Sequence, residues 1–354
     1  IIMKKKLIEY FCKKYIDVKY LNTVLYKKKI LISGSSGFLG GWLLNVMIFL
    51  NNTYNLKLRV CLILRSNKKK SNLIFKDKYG VIEIIYHDLT KSIIISEKFN
   101  YFFHFAAETF FKSSKEEKKS STLMLKITKN IEKILKENRV EKLIFLSSGA
   151  VYGKNTNISS GFEENDINKA NKISAINYYG KAKIRSEKVF INSFSQNRNL
   201  DSLLIIRAFA FGGSGFKRGS KYAFDNFIKN RVSGKNINLN STGHSIRSYL
   251  HPIDFVIWLI SILKIKGLLL SNIGSEKKIR LINLAKLIAN IKIAGLPKVK
   301  INIGTDNYFD NYIPDLSLAK KKGFKERISL NKQIKEAIIS RLENNPYSQD
   351  ENLK

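Results

Sequence analysis

Two groups of residues in this chain have the types and spacing to do chemistry. Gly34, Gly37 and Gly40 fall in the run Lys29-Ile-Leu-Ile-Ser-Gly-Ser-Ser-Gly-Phe-Leu-Gly40. Tyr179 and Lys183 lie far downstream in Tyr-Gly-Lys-Ala-Lys. The first run reads as a strand entering a glycine turn and then a helix, which would present its N-terminal N–H groups to phosphate. One glycine permits the turn, another admits a pyrophosphate close to the backbone, and the last lets helix pack on strand. The spacing is G-x-x-G-x-x-G, and the same glycines would also serve an ordinary strand–turn–helix. In the second group a phenol and an ammonium stand one helical turn apart on one face. A phenol ionises near pH ~10, and a neighbouring cation favours the phenolate. Ser147-Ser148, at the end of an upstream apolar run, could hydrogen-bond the same reacting oxygen or cap a helix. Together these residues imply a protein that holds a nicotinamide dinucleotide and moves a hydride with a tyrosine base.

The elements that must position these groups alternate. Ile30–Ile32, Leu58–Leu64, Val81–Tyr86, Tyr101–Phe105, Lys142–Ser147 and Leu203–Arg207 read as strands. Helices are expected over Gly41–Leu50 and Leu123–Asn138, and an amphipathic helix over residues 7–26. Strands separated by helix-length segments imply right-handed crossovers and a parallel, Rossmann-type doubly wound α/β sheet. Ligands of such sheets bind beyond the carboxyl ends of the strands. Gly34, Asp88, Ala106, Ser148 and Arg207 all follow strand ends. The second half is less regular, with helices near 222–232, 254–264 and 281–291. It implies a smaller C-terminal substrate-binding lobe with segments that return to the sheet. The expected division is a helical extension over 1–27, a dinucleotide-binding domain over 28–207, the second lobe over 208–344 and a polar tail over 345–354.

Composition narrows the class. Of 354 residues, 44% are hydrophobic and 11% aromatic, values of a globular chain with a sizeable core. Cys12 and Cys61 provide neither a disulfide framework nor a metal-binding spacing, and point to a reducing cytoplasm. The net charge of +35 raises the question of nucleic acid. The lysines, however, are spread along the chain beside abundant Asn and Ile, as adenine- and thymine-rich codons would give. No aromatic-interleaved basic motif accompanies them, so no specific nucleic-acid partner is expected. The apolar stretch Phe255–Leu263, interrupted by Ser261, is too short to span a bilayer, and no signal peptide is evident.

Five ordered motifs then resemble the extended short-chain dehydrogenase/reductases, in particular the NAD-dependent epimerase/dehydratase branch that acts on nucleotide sugars. They are Gly34-Ser-Ser-Gly-Phe-Leu-Gly40, His104-Phe-Ala-Ala107, Ser147-Ser-Gly-Ala-Val-Tyr-Gly153, Tyr179-Gly-Lys-Ala-Lys183 and Arg247-Ser-Tyr-Leu-His-Pro-Ile-Asp254. Asn272–Glu276 and Tyr312–Asp315 resemble later landmarks of that branch. The resemblance implies that the three glycines, with Ser36, Phe38 and Leu39, hold the pyrophosphate. Asp88 and Leu89 would meet the adenine, and Phe105, Ala106, Ala107 and Ser147 would flank the cofactor. Tyr179 would exchange the sugar's proton, Ser148 would polarise the same oxygen, and Lys183 would also bind the nicotinamide ribose. Arg247 would pair with the substrate diphosphate, as its guanidinium fork allows, and Asn226 would line the nucleotide pocket. A homodimer is implied as well.

Two departures from the branch matter. Its dehydratases carry Asp-Glu directly after the Ser/Thr, whereas this chain has Gly149 and Ala150, so a 4,6-dehydratase is disfavoured. An epimerase acting at a sugar carbon, in surface polysaccharide or lipopolysaccharide precursor synthesis, is expected first. A 4-keto-sugar reductase comes next, and a non-catalytic dinucleotide sensor is the alternative class. After the second strand, Leu64-Arg65-Ser66-Asn67-Lys68 lacks the acid that favours NAD, and Arg65 suits a 2′-phosphate. The cofactor is therefore NAD(P)(H), with NADP(H) favoured over NAD(H).

Overall fold

A computed structural model describes residues 2–66, 73–108, 111, 113–137, 139–154, 161–169, 177–216, 220 and 222–343. The chain opens with helices α1 (Ile2–Tyr15) and α2 (Val18–Leu25). The single expected helix is broken at Ile16-Asp17. The Asp17 carboxylate accepts a hydrogen bond from Lys19 N at 2.9 Å and starts the second helix as its N-cap.

The dinucleotide-type half follows. It consists of β1 (Lys29–Ser33), α3 (Phe38–Tyr54), β2 (Arg59–Leu64), β3 (Ile82–Tyr86), β4 (Phe99–His104), α4 (Ser114–Lys136) and β5 (Val140–Ser148). A short α5 (Asp166–Lys169), then α6 (Tyr178–Gln196) and β6 (Ser202–Ala208) come next. Beyond them lie α7 (Ala223–Val232), β7 (Ile237–Ser241), β8 (Ile246–Arg247), α8 (Pro252–Ser261) and β9 (Gly267–Ile273). The chain ends with β10 (Ile279–Arg280), α9 (Leu281–Asn290), β11 (Ile301–Asp306), β12 (Asn311–Tyr312), α10 (Ser317–Lys321) and α11 (Leu330–Glu343).

Seven strands form one parallel sheet in the order β3-β2-β1-β4-β5-β6-β9. The first six reproduce the doubly wound order expected from the alternation. β9 is the late return to the sheet from the second half. The inner strands are continuous apolar runs because helices cover both faces. Ile30, Leu31 and Ile32 are fully buried, and so are Leu203 to Ile206. The second half adds a three-stranded sheet, β10-β8-β12, and the pair β11-β7.

α3 is buried without interruption from Trp42 to Asn51. It packs against α1 and α8 as well as the sheet, which explains why it is largely apolar all round, with the buried Asn45 and Asn51 amides hydrogen-bonded to backbone. It is longer than expected and begins at Phe38, with Gly37 as N-cap. α4 starts nine residues before its expected beginning. Ser113 Oγ accepts from Glu116 N at 3.2 Å, and Glu116 and Glu117 occupy the positive first turn. No described helix is long and apolar enough to cross a membrane. Cys12 and Cys61 are buried free thiols, and the described residues hold no metal-binding cluster of three His, Cys, Asp or Glu.

Candidate active site

The cleft lies where the sequence pattern places it, beyond the carboxyl ends of β1, β4, β5 and β6. Its volume is about 1060 Å³. One wall is the turn between β1 and α3. Gly34 has φ +82°, and a Cβ on it would lie 2.6 Å from both Ala106 N and Phe105 C. A Cβ on Gly40 would sit 2.2 Å from Gly34 O. Both positions need glycine, because β4's exit and the helix press on the turn from opposite sides. The start of α3 lines the cleft, and no side chain caps its first N–H groups, a cradle that fits a pyrophosphate.

The facing wall is built by β5 and α6. β5 ends in Ser147 and Ser148, and the first turn of α6, capped by Asn177 Oδ1 on Gly180 N at 2.8 Å, carries Tyr179. Ser148 Oγ is in hydrogen-bonding reach of the Tyr179 hydroxyl and also of Tyr312. Ser148 Oγ additionally accepts from Ala150 N at 3.2 Å. Lys183, one turn below Tyr179, is 2% exposed. Its Nζ donates to Leu146 O at 2.6 Å and lies 4.6 Å from the Phe145 ring centroid and 5.8 Å from that of Tyr179.

The electrostatics differ from the expected ammonium-acidified phenol. Burial pushes Tyr179 well above a phenol's ordinary range, and the Tyr222 and Tyr312 phenols add to that, with the Ser148 hydrogen bond opposing. Burial also pulls Lys183 down to about 7, opposed by the charge of Glu187. Taking both groups out of water outweighs their mutual effect. The phenol is held protonated, and the ammonium gives up its proton easily. Tyr312 is pushed up to about 12 by burial.

Behind this wall runs a buried polar network. The Ser147 hydroxyl donates to Glu187, which also takes a two-pronged contact from Arg207 at 2.7 and 3.1 Å. Arg207 Nη1 donates to the Tyr152 hydroxyl at 2.9 Å, and that hydroxyl donates to Asn272 Oδ1 at 2.6 Å. The network fixes α6 against the ends of β5, β6 and β9.

Of the residues expected to hold cofactor or act on substrate, Gly34, Gly37, Phe38, Leu39 and Gly40 line the cleft together with Phe105 and Ala107. So do Ser147, Ser148, Tyr179, Lys183 and Arg247. Arg247 pairs with Asp310 at 3.1 Å and donates to Asp310 O at 2.8 Å. Its guanidinium carbon is 5.8 Å from the Tyr312 ring centroid. Ser36 and Ala106 lie in the adjoining turns rather than on the cleft surface. Asp88, its carboxylate bonded to Thr90 N at 3.0 Å, stands at the end of β3, within electrostatic reach of Arg65. Its pKa is lowered, chiefly by that backbone bond. Leu89 is buried beneath it. Asn226 is half-buried on α7 and is not among the residues lining the cleft. Asn67 and Lys68 fall outside the described residues.

Other cleft residues carry no spacing signal. Glu117, in the first turn of α4, accepts from Tyr179 N at 3.0 Å through Oε1, and Phe111 lies 6.2 Å from the Tyr179 ring. Tyr222, Tyr249, Asp310 and Tyr312 come from the second half. The acidic pair Glu116-Glu117 behind Ser113 offered a local clue, as a helix start, and Tyr249 and Tyr312 fall inside the motifs Arg247–Asp254 and Tyr312–Asp315 without a role assigned to them.

The profile of the NAD dependent epimerase/dehydratase family matches residues 30–267. A dTDP-D-glucose 4,6-dehydratase of Dictyostelium discoideum is 28% identical over 282 residues, 76% of this chain and 63% of its own length. A trifunctional UDP-glucose 4,6-dehydratase/UDP-4-keto-6-deoxy-D-glucose 3,5-epimerase/UDP-4-keto-L-rhamnose-reductase of Arabidopsis thaliana is 25% identical. That match covers 88% of this chain and 47% of the relative. The chain thus spans less than two thirds of the length of either relative. Among solved structures, the UDP-N-acetylglucosamine 4-epimerase of Methanobrevibacter ruminantium M1, in complex with UDP-N-acetylmuramic acid, superposes with a TM-score of 0.71. It is 22% identical, and the match covers 89% of this chain and 99% of that one. Glycine turn, sheet order and profile agree: the chain belongs to the NAD dependent epimerase/dehydratase family.

Proposed function

We propose that this chain is a nucleotide-sugar epimerase in which Tyr179 carries the proton of the sugar's C4 hydroxyl. The observation that carries the reading is the convergence of Ser148, Tyr179 and Lys183 on one wall of a cleft whose opposite wall is the bare glycine turn. The residues fit a nicotinamide dinucleotide: Gly34, Gly37 and Gly40 with Phe38 and Leu39 would hold its pyrophosphate, and Lys183 its nicotinamide ribose. When bound, that group supplies the hydride acceptor.

The chain's own part is positional and electrostatic. Ser148 and Tyr179 place two hydroxyls at one point, so a substrate oxygen there meets two hydrogen-bonding groups at once. Tyr179 takes or gives the proton on that oxygen, and Lys183, one turn below it, holds the helix to the end of β5 through Leu146 O. Arg247, on the cleft lining beside Tyr312, would meet the substrate's diphosphate. The rings of Phe209, Tyr249 and Tyr312 exclude water. The dinucleotide is NAD(P), and Arg65 beside Asp88 favours NADP(H). Residues 28–207 act as the cofactor half and 208–344 as the substrate half. The enzyme would act as a homodimer on precursors of surface polysaccharide in the cytoplasm.

The dehydratase activities of the relatives are not carried over. A side chain at Gly149 would begin 2.8 Å from both the Phe209 ring and the Tyr312 hydroxyl, and Ala150 bears no acid. A second reading, reduction of a nucleotide 4-keto sugar, is favoured by the resting protonation state. Burial keeps the phenol neutral, the form that can donate a hydrogen bond to a carbonyl oxygen.

The test is direct. Dinucleotide released by denaturing the purified protein is identified by mass. The protein is then incubated with a panel of UDP- and dTDP-sugars. An epimerase interconverts two sugars at constant cofactor redox state, while a reductase consumes one equivalent of reduced cofactor per turnover. Failure to bind either dinucleotide would overturn both readings.

A further inference from the structure

The residues assigned so far belong largely to the span matched by the family profile. A separate buried cluster ties both ends of the chain, outside that span, to the cleft wall. Lys4 on α1 places its Nζ 4.2 Å from the centroid of the Trp42 ring, in the early part of α3. Trp42 Nε1 donates to Ser214 O at 3.0 Å. The Ser214 hydroxyl donates to the Glu336 carboxylate on α11, and the charge of Glu336 acts back on Lys4. His251 Nε2 lies 3.7 Å from the same carboxylate, and the His251 ring meets Trp42 edge-on at 5.1 Å. Lys4, Ser214 and His251 thus surround one indole, with the Glu336 carboxylate against Ser214 and His251.

Gly215 connects this cluster to the cleft. Its φ is +102°, and a Cβ there would lie 3.3 Å from Trp42 Nε1, 3.6 Å from Lys4 Nζ and 3.7 Å from Phe38 Cδ2. A single glycine therefore separates the lysine from Phe38. Phe38 stacks on Phe216 at 4.1 Å, and both rings line the cleft beside the glycine turn. Apart from the hydrogen bond to Ser214 from Trp42, on whose indole Lys4 sits, the loop Gly212–Phe216 meets α3 through aromatic contacts. Placing an ammonium here removes it from water, and burial pulls Lys4 down to about 8 despite Glu336. An apolar side chain would pack on Trp42 without that cost.

We propose that Lys4 is a positioning residue for dinucleotide binding. It fastens the loop Gly212–Phe216 to the first turns of α3, so that Phe38 and Phe216 keep the cofactor end of the cleft in shape before the ligand arrives. This rests on the reading that the cleft takes a dinucleotide. Pre-ordering of a binding wall is felt mainly as affinity, since the ligand no longer has to order it.

The test uses the full chain carrying Lys4→Met or Lys4→Arg, with NAD and NADP titrated calorimetrically and steady-state kinetics on the nucleotide sugar found active. Lys4→Met should raise the dinucleotide Kd and KM about tenfold while kcat at saturating dinucleotide stays within about twofold, and Lys4→Arg should restore most of the affinity. Wild-type affinity in Lys4→Met overturns the proposal. So does an equal loss in both variants, or a fall in kcat with KM unchanged. Should Lys4→Met fail to fold, Ser214→Ala cuts the same fastening at its other end, and the same rise in KM is required of it. A wild-type chain that binds neither dinucleotide refutes the reading of the cleft itself.

Discussion

Lys183 donates its Nζ to the carbonyl oxygen of Leu146 at 2.6 Å, on the strand whose next two residues are Ser147 and Ser148. The bond ties the helix carrying Tyr179 to the strand end carrying its partner hydroxyl. Spacing between the two serines and the phenol is therefore set by a buried side-chain-to-backbone contact. Lys183→Arg should keep a positive charge yet lose activity, because a planar fork does not fit a site that leaves the lysine 2% exposed. The expected loss in kcat is about 10²-fold or more. Tyr179→Phe should lose at least as much, with dinucleotide affinity kept within a few-fold. Full turnover by Tyr179→Phe would remove the phenol from the chemistry.

The glycine turn predicts a contrast between neighbours. A Cβ at Gly40 would stand 2.2 Å from the backbone oxygen of Gly34, whereas one at Gly41 would meet Ser35 O at an ordinary 3.4 Å. Gly40→Ala should abolish dinucleotide binding or folding, and Gly41→Ala should bind like the wild type. Calorimetric titration of both variants checks this, and equal behaviour would show that α3 can slide off the turn.

Arg207 and Glu187 form a buried ion pair at 2.7 Å, each side chain 4% exposed. Removing one partner strands a charge. Arg207→Met should cost about 3–5 kcal/mol of stability by urea unfolding. The double variant Arg207→Met/Glu187→Met should cost less than Arg207→Met alone, because it leaves no orphaned carboxylate. A single-variant loss below about 1 kcal/mol, the range of exposed pairs, would argue against the network.

His104 predicts a pH dependence of stability. Its Nδ1 sits 2.7 Å from Ser33 Oγ, its ring stacks on Phe145, and burial with the nearby Lys183 charge lowers its pKa to about 3. The unfolded chain takes up this proton below about pH 6.5, and the folded chain does not until about pH 3. The contribution is complete above the unfolded value and is lost as pH falls through that window, by about 1.4 kcal/mol per unit. His104→Gln should show a shallower fall in unfolding free energy between pH 6 and 4 than the wild type. Parallel curves would mean that the ring is protonated in the fold.

Local chemistry explains what was legible beforehand. The sheet strands, the glycine turn and the Tyr179–Lys183 pair were readable because each depends on periodicity or on short spacing. The start of α4 at Ser114 was missed because its first turns are rich in Lys and Ser, with no apolar period to announce them, although Ser113 and Glu116 marked a cap. Tyr312 and Asp310 reach the cleft from β12 and the residue before it, which pair only with β8 and lie far from the catalytic helix in sequence. No spacing rule brings them there. The protonation of Tyr179 and Lys183 was misjudged for a related reason. Sequence shows that the two are neighbours, but only the packed structure shows how little water reaches them.

The uninterrupted burial of α3 bears on how the protein is made. One of its covers, α8, is synthesised about two hundred residues later. A nascent chain therefore carries a largely apolar helix with part of its cover missing for most of translation, a segment suited to chaperone capture. In vitro, refolding should be slow and concentration-sensitive, since closing so long a loop must precede the gain from sealing that helix.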